Sequence, residues 1–323
     1  TTGAANLAIG KDSLFNNTTG NYNIAVGYDS LQQNNGSNNT AVGHDSLKLN
    51  TTGTQNVAVG ANALDANTTG SYSVAVGYNA LTASTAEYNT AVGRGAMQSN
   101  TTGGHNTAVG NAALLNTTDG TRNSAVGRAA LEALTTANDN TALGYYALLS
   151  STTGERNTAI GSLADYGSTT ADDNTVVGYA ALGPANTGSD NCVFGGYAMD
   201  ANTSGGDNCA FGKSALGNNT TASQNTAIGR EALLANTTGT RNVALGYGAL
   251  KTNVTDNNST AIGWEAARDA NGATDTTAVG AYALQQLTTG DYNVAVGQAA
   301  AYNTTTGSYN VAIGLHALSA NQT

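Results

Sequence analysis

One phrase is rewritten along the whole chain: an Asn, a small or β-branched residue, Ala, a branched apolar residue and a Gly, as in "NTAVG" at residues 89–93. Taking the closing Gly as origin, the glycines are Gly10, Gly27, Gly43, Gly60, Gly77, Gly93, Gly110, Gly127, Gly144 and Gly161, then every seventeenth residue from Gly178 to Gly314. Nineteen copies at a spacing of 17, with two intervals of 16, leave few architectures open, because a fixed short period marks a stacked repeat. The consensus reads N-T-A-V-G-x-x-A-L-x-x-N-T-T-G-x-x. Both short intervals shorten the polar stretch, "QQNNGSNN" before Gly43 and "TASTAEYN" before Gly93. Loops absorb deletions that packed elements do not, so "NTTG" reads as a turn and "NTAVG" as a strand.

Seventeen residues are too few for a pair of helices, and the apolar spacing does not follow 3.6. Within "TAV", alternation of period two puts Thr and Val on one face and Ala on the other. The expectation is an all-β fold, a parallel β-solenoid or β-roll of about nineteen 17-residue coils, forming a single repetitive domain over residues 1–323. At about 4.8 Å per coil it would span roughly 90 Å. Composition agrees with a periodic chain: 10% charged, 6% aromatic, 41 Gly and one Pro. Regular Val, Ile and Leu argue against disorder.

The formal charge of −10 opposes nonspecific nucleic-acid binding. No apolar run approaches the ~20 residues of a membrane helix, so no membrane insertion of this segment is expected. The chain starts and stops inside the repeating phrase, and is expected to be a fragment or processed part of a longer repeat protein.

Comparing slots between copies shows what each position tolerates. The residue before Gly is always Val, Ile, Leu or Phe, and the fourth after it is Leu or Met in most copies (Leu14, Leu64, Met97, Leu148). These two rows are expected to fill each coil. Asp165 breaks the second row, with Leu163 nearby as a replacement or a bend in the coil as the alternative. The slot two before Gly is Ala in seventeen copies and Val in two. If Val faces inward, this Ala row faces outward, where a restriction to small residues needs a cause. Two readings are open, a tight bend within the coil or a partner chain packing closely along the row. The second is preferred, which makes Ala8, Ala25, Ala41, Ala58, Ala75, Ala91, Ala108, Ala125, Ala142 and Ala159 a candidate oligomer interface.

"NTAVG" followed by "xxAL" resembles the N-S-V-A-I-G coil motif of trimeric autotransporter adhesin heads, the YadA-like family. It is still more similar to the "NTAxGxxAL" repeats of tail-fibre-like and bacterial surface proteins. The likeness covers nearly all of the chain. It implies a left-handed parallel β-roll, three chains side by side in a homotrimer, the Ala row at the contact between chains and the Val/Ile row inside each coil. Family heads use shorter coils, so the "NTTG" segment is an addition here.

The residues offer no catalytic constellation, and no enzyme activity is expected. His44, His105 and His316 occupy three different slots far apart in sequence and read as surface residues. Cys192 and Cys209 share a slot in successive copies, readable as buried free thiols or as a disulfide, with the thiols preferred. Asp12, Asp29 and Asp45 share one slot, and Asp173, Asp190 and Asp207 another. They are read as solvated rows, with Ca²⁺ as the only cofactor worth testing. Tyr28, Tyr78, Tyr145, Tyr179, Tyr247 and Trp264 follow the glycines, and Arg122, Arg156 and Arg241 precede strand asparagines. They form a candidate recognition surface, with stacking between coils as the plainer alternative. "NTT" at Asn17, Asn50, Asn67, Asn100, Asn219 and Asn236 matches the N-glycosylation pattern, which turn chemistry also explains.

Together these readings predict a structural extracellular fibre: the rod of an oligomeric surface adhesin, a phage-type tail fibre or a self-assembling filament. Its partners would be further copies of itself, as trimer or polymer, and surface or matrix glycans or proteins. The alternatives are an ice-binding solenoid, which would need an outward Thr array, and a head-to-tail filament without adhesin activity.

Overall fold

The computed structural model describes residues 2–320. The chain divides into two compact units, Thr1–Arg156 and Asn157–Thr323. The first holds nine three-residue strands, β1 (Leu7–Ile9) to β9 (Thr141–Leu143), and the second ten, β10 (Thr158–Ile160) to β19 (Val311–Ile313). Within each unit successive strands pair in parallel without slip, as Thr90–Thr107, Ala91–Ala108 and Val92–Val109 do in the first and Thr260–Thr277, Ala261–Ala278 and Ile262–Val279 in the second. Each unit is therefore an all-β parallel solenoid with one strand per coil, as the period implies, and the described residues contain no helix.

The stretch after each strand is held by alternating handedness. In the coil of Gly110, Ala112 (φ 58) and Leu114 (φ 50) are left-handed. The Ala112 amide donates back to Arg94 O at 3.0 Å, and the Leu114 amide donates forward to Ala130 O at 3.0 Å. A left-handed non-glycine residue costs of order 1–2 kcal/mol, and here each such residue is tied to a neighbouring coil. Gly110 itself (φ 140) adopts a conformation closed to side chains, and a Cβ there would collide with the backbone of Gly127. That close coil-to-coil approach fixes the Gly of the repeat.

Sidedness is the reverse of the expectation. The Ala row points into the coil: Ala25, Ala41, Ala58, Ala75, Ala91, Ala108, Ala125 and Ala159 are fully covered by their own chain, and Ala142 nearly so. Ala8, in the first described coil, is exposed. Val, Ile or Leu before each Gly points outward, with Val42, Val59 and Val109 each 36% exposed. The interior is a closed stack of the strand Ala, the Ala or Ser three after Gly, and the Leu or Met four after it; Ala108, Ala113 and Leu114 are all 0% exposed. Ala is small because the opposite wall of its own coil lies against it. The tight-bend reading holds, and the Ala row is not available as an interface between chains.

Two rows of asparagine complete the interior. Asn106 donates through Nδ2 to Gly120 O, closing its own coil at 2.8 Å, and its Oδ1 accepts the Asn123 amide of the next coil at 2.9 Å. The turn asparagines form a second ladder: Asn67 Nδ2 donates to Asn50 Oδ1 at 2.9 Å, and Asn219 Nδ2 donates to Asn202 Oδ1 at 2.8 Å. Buried amides of this kind are tolerable only when bonded, and stacking amides supplies the bonds along the strand row and along parts of the turn row; where the turn row breaks, as at Ala270, the Asn253 amide is left without a partner.

Candidate functional site

Because the interior is sealed, any site must lie on the outward slots. The "NTT" asparagines are excluded from this surface: Asn50, Asn100, Asn219 and Asn236 are fully buried and Asn67 is 1% exposed, with their amides engaged inside the turn. They are not glycan acceptors in the folded chain. Asn17 is half-buried and donates to Gly20 O.

Aromatic residues of neighbouring coils cover one another's faces. Tyr28 stacks on His44 with ring centres 5.3 Å apart and receives Lys11 over its ring at 5.0 Å. Tyr72, Tyr88 and His105 form a three-ring column with centres 5.0 and 4.9 Å apart. Tyr145 leans on Tyr146, and Arg128 donates to both hydroxyls. Tyr247 stacks on Trp264 at 4.4 Å, while Tyr179 meets Tyr197 edge-on. Such columns leave ring edges to solvent and spend the flat faces that sugars use. Tyr78 is 51% exposed.

The arginines divide similarly. Arg122 pairs with Asp139 through Nε at 2.6 Å, and this contact raises the guanidinium and holds the Asp139 carboxyl below its usual range. Arg156 pairs with Glu155 at 3.0 Å, whereas Arg241 is exposed.

Of the acidic rows, Asp29 and Asp45 share the ammonium of Lys48 at 2.9 and 3.0 Å, which pushes Lys48 up to about 12, and Asp12 pairs with Lys11. Every carboxylate of this row is paired, the three aspartates with two lysines. Asp173, Asp190 and Asp207 are exposed. Among the described residues no group of three His, Cys, Asp or Glu side chains is arranged to hold a metal ion.

The second unit carries a cleft of about 320 Å³ lined by Tyr282, Gln298, Ala299, Tyr302, Asn303 and His316 among others. Tyr282, Ala299 and His316 occupy one slot in three successive coils, so the small Ala299 leaves room for one ring between Tyr282 and His316. This is the opposite of the filled columns, and it brings His316 beside polar groups that the sequence keeps apart.

Asp165 sits in the core slot, fully buried, while Leu163 stays half-buried on the outward side and does not replace it. Ser168 Oγ donates to Asp165 Oδ1, and Asn186 Nδ2 donates to Ser168 Oγ at 3.1 Å. Oδ2 has no hydrogen-bond partner. Burial therefore pushes this carboxyl up to about 7, and the Ser168 bond opposes only part of that.

The asparagine ladders are what the sequence reading missed. Their signal is present: the slot before each strand is Asn in all but a few copies, and Ser73, Ser259 and Thr276 are the hydroxyl substitutes. A slot that drifts only between an amide and a hydroxyl is a bonded, buried slot.

Fold and surface together define a class, the one-strand-per-coil parallel β-solenoid with an asparagine-laddered interior. No protein-family model matches the chain, and no curated protein matches it.

Proposed function

We propose that the chain is a structural element of an extracellular fibre whose copies associate laterally through the outward strand face. The observation that carries this reading is the uninterrupted row of apolar residues on that face: Val59, Val109 and Val126 in the first unit and Ile228, Ile262 and Val296 in the second, each between 36% and 39% exposed. Ten strands about 4.8 Å apart carry this apolar row roughly 48 Å along the second unit, and contiguous exposed apolar surface marks interaction sites. Stiffness comes from repetition, since every coil adds the same ladder bonds to the last. Side-by-side packing, as a trimer or a larger polymer, would cover the row, and adhesin-like attachment would fall to the variable outward slots.

The test is the native mass of the full chain, with Val59→Lys and Val109→Lys together as the variant. The expected result is a multimer that dissociates in the double variant while the far-ultraviolet circular dichroism is retained. A monomeric parent chain would overturn lateral association.

One observation favours a second reading. The first strand residue faces outward with the third, so Thr90, Thr107, Thr141 and Thr158 lie on the surface and not in the core. An outward Thr row beside a Val row is the surface an ice-binding solenoid requires, although Ile24, Val57, Val74 and Ser124 interrupt it in the first unit and Cys192, Cys209, Val243 and Val294 in the second. Ice-crystal growth unaltered by the chain would remove this reading.

A further inference from the structure

Cys192 and Cys209 depart from the repeat in a way that is itself repeated. They are register partners in the adjacent parallel strands Cys192–Phe194 and Cys209–Phe211. Both open their strand, so both thiols lie on the outward face, free and half-buried. Thr175 and Thr226 continue the same row on either side. Two residues further on, Phe194 and Phe211 stack with ring centres 4.7 Å apart and planes within 10°, giving the pair an apolar flank. Burial raises the Cys209 thiol, and the neighbouring Cys192 raises it further.

Parallel in-register neighbours keep their side chains side by side, so equivalent atoms stay about 4.8 Å apart from Cα outward. A disulfide asks for Cβ atoms about 3.8 Å apart and sulfurs about 2.05 Å apart, which would pull two strands together against the ladders that space them. Two metal–sulfur bonds of about 2.3 Å laid end to end span about 4.6 Å, the spacing the strands already have. Thiolates select soft ions such as Cu(I), and ions of this d¹⁰ type accept two ligands in line. With side chains held parallel, the Cβ spacing thus exceeds what an S–S bond prefers and matches an S–metal–S bridge.

We propose that Cys192 and Cys209 form a two-coordinate site for a soft, thiophilic d¹⁰ cation, with Cu(I) and Ag(I) as the ions it takes. Binding exchanges two S–H bonds for two S–metal bonds and releases two protons to solvent, with no change in oxidation state. The bridge joins consecutive coils across their exposed face, and the phenyl pair keeps water from one side of it.

The experiment uses the full chain, reduced and anaerobic, titrated with Cu(I) against a chromogenic chelator and separately with Ag(I). One ion per chain is expected, with a sulfur-to-metal charge-transfer band in the ultraviolet. Cys192→Ser and Cys209→Ser, each alone, should weaken binding by at least the roughly 10–100-fold that loss of even an outer-shell partner costs, since one thiolate does not complete the site. Ser and Thr occupy this slot in other coils, so both variants should keep the parent circular dichroism. Binding of parent strength in either variant would overturn the site. So would two independent ions per chain, or a parent chain that closes to a disulfide under mild oxidation faster than it takes up Ag(I).

Discussion

The coil of Gly110 in the first unit and the coil of Gly161 in the second share a period and a strand, yet solve their interiors differently. The first fills its deep slot with Leu114 and needs nothing else. The second places Asp165 there and recruits Ser168, at the turn position where Asn usually stands, as its donor. The difference teaches that the ladder, not the apolar core alone, sets the coil: a carboxyl is tolerated where backbone and amide bonds between coils already fix the chain. It also teaches what that tolerance costs, because one carboxylate oxygen remains without a partner.

Exchanging the two solutions gives the largest expected effects. Leu114→Asp removes a buried side chain and strands a carboxyl beside Thr117, which stands in the slot of Ser168 but donates its hydroxyl to Thr135 O at 3.3 Å. It should cost roughly 4–6 kcal/mol, the upper range for core truncation with a desolvated acid added. Asp165→Leu should do the opposite and stabilise the second unit. Hydrogen–deuterium exchange resolved by peptide reads each coil separately, and equal protection in Leu114→Asp and the parent would break the comparison.

The second effect depends on pH. A carboxyl raised from about 3.9 unfolded to about 7 folded is neutral in both states below pH 4, so no penalty exists there. Between pH 4 and pH 7 the unfolded chain ionises while the folded one resists, and stability falls as pH rises. Above pH 7 the loss levels off at about 4 kcal/mol for a difference of that size. Protection of the Gly161 coil should therefore weaken from pH 4 to pH 8, and Asp165→Asn should remove most of that slope. A slope unchanged in Asp165→Asn would place its origin elsewhere.

How far the sequence could be read follows from the same slots. The period, the strand at "TAV" and the turn at "NTTG" were legible because they rest on spacing. Alternation also separated Ala from Val correctly, but it does not say which face is inside, and the larger apolar residue was assigned inward by default. Cross-section decided otherwise: with Leu114, Asn106 and Thr117 inside a single coil, only Ala108 fits behind the strand. The left-handed residues at Ala112 and Arg122 were not legible, since many different side chains occupy those slots when the ladder holds them, and the Leu114 slot is restricted by its burial, which hides its handedness. Of the surface reading, stacking between coils, the plainer alternative offered by the shared slots, is what Tyr28, Tyr72, Tyr88 and Tyr247 do, while the ring faces preferred for recognition are consumed by it.

The smallest expected effect asks whether both coils lean on the ladder equally. Asn106 closes its coil on Gly120 and accepts the Asn123 amide; Asn174, in the coil after Asp165, closes on Gly188 at 3.0 Å and accepts the Asn191 amide at 2.9 Å. Replacing either by Ala leaves a buried amide and a buried carbonyl unpaired, at about 1–3 kcal/mol. Ser should recover part of this, because Ser73 makes the same two bonds at longer reach, accepting the Asn89 amide at 3.3 Å and donating to Ala86 O at 3.4 Å. Equal losses for Asn106→Ala and Asn174→Ala, each halved by Ser, would mean that the ladder works independently of what fills the core. A loss confined to Asn174→Ala would mean that the Asp165 coil survives only through its neighbours' amides, and that coils with Leu inside hold themselves.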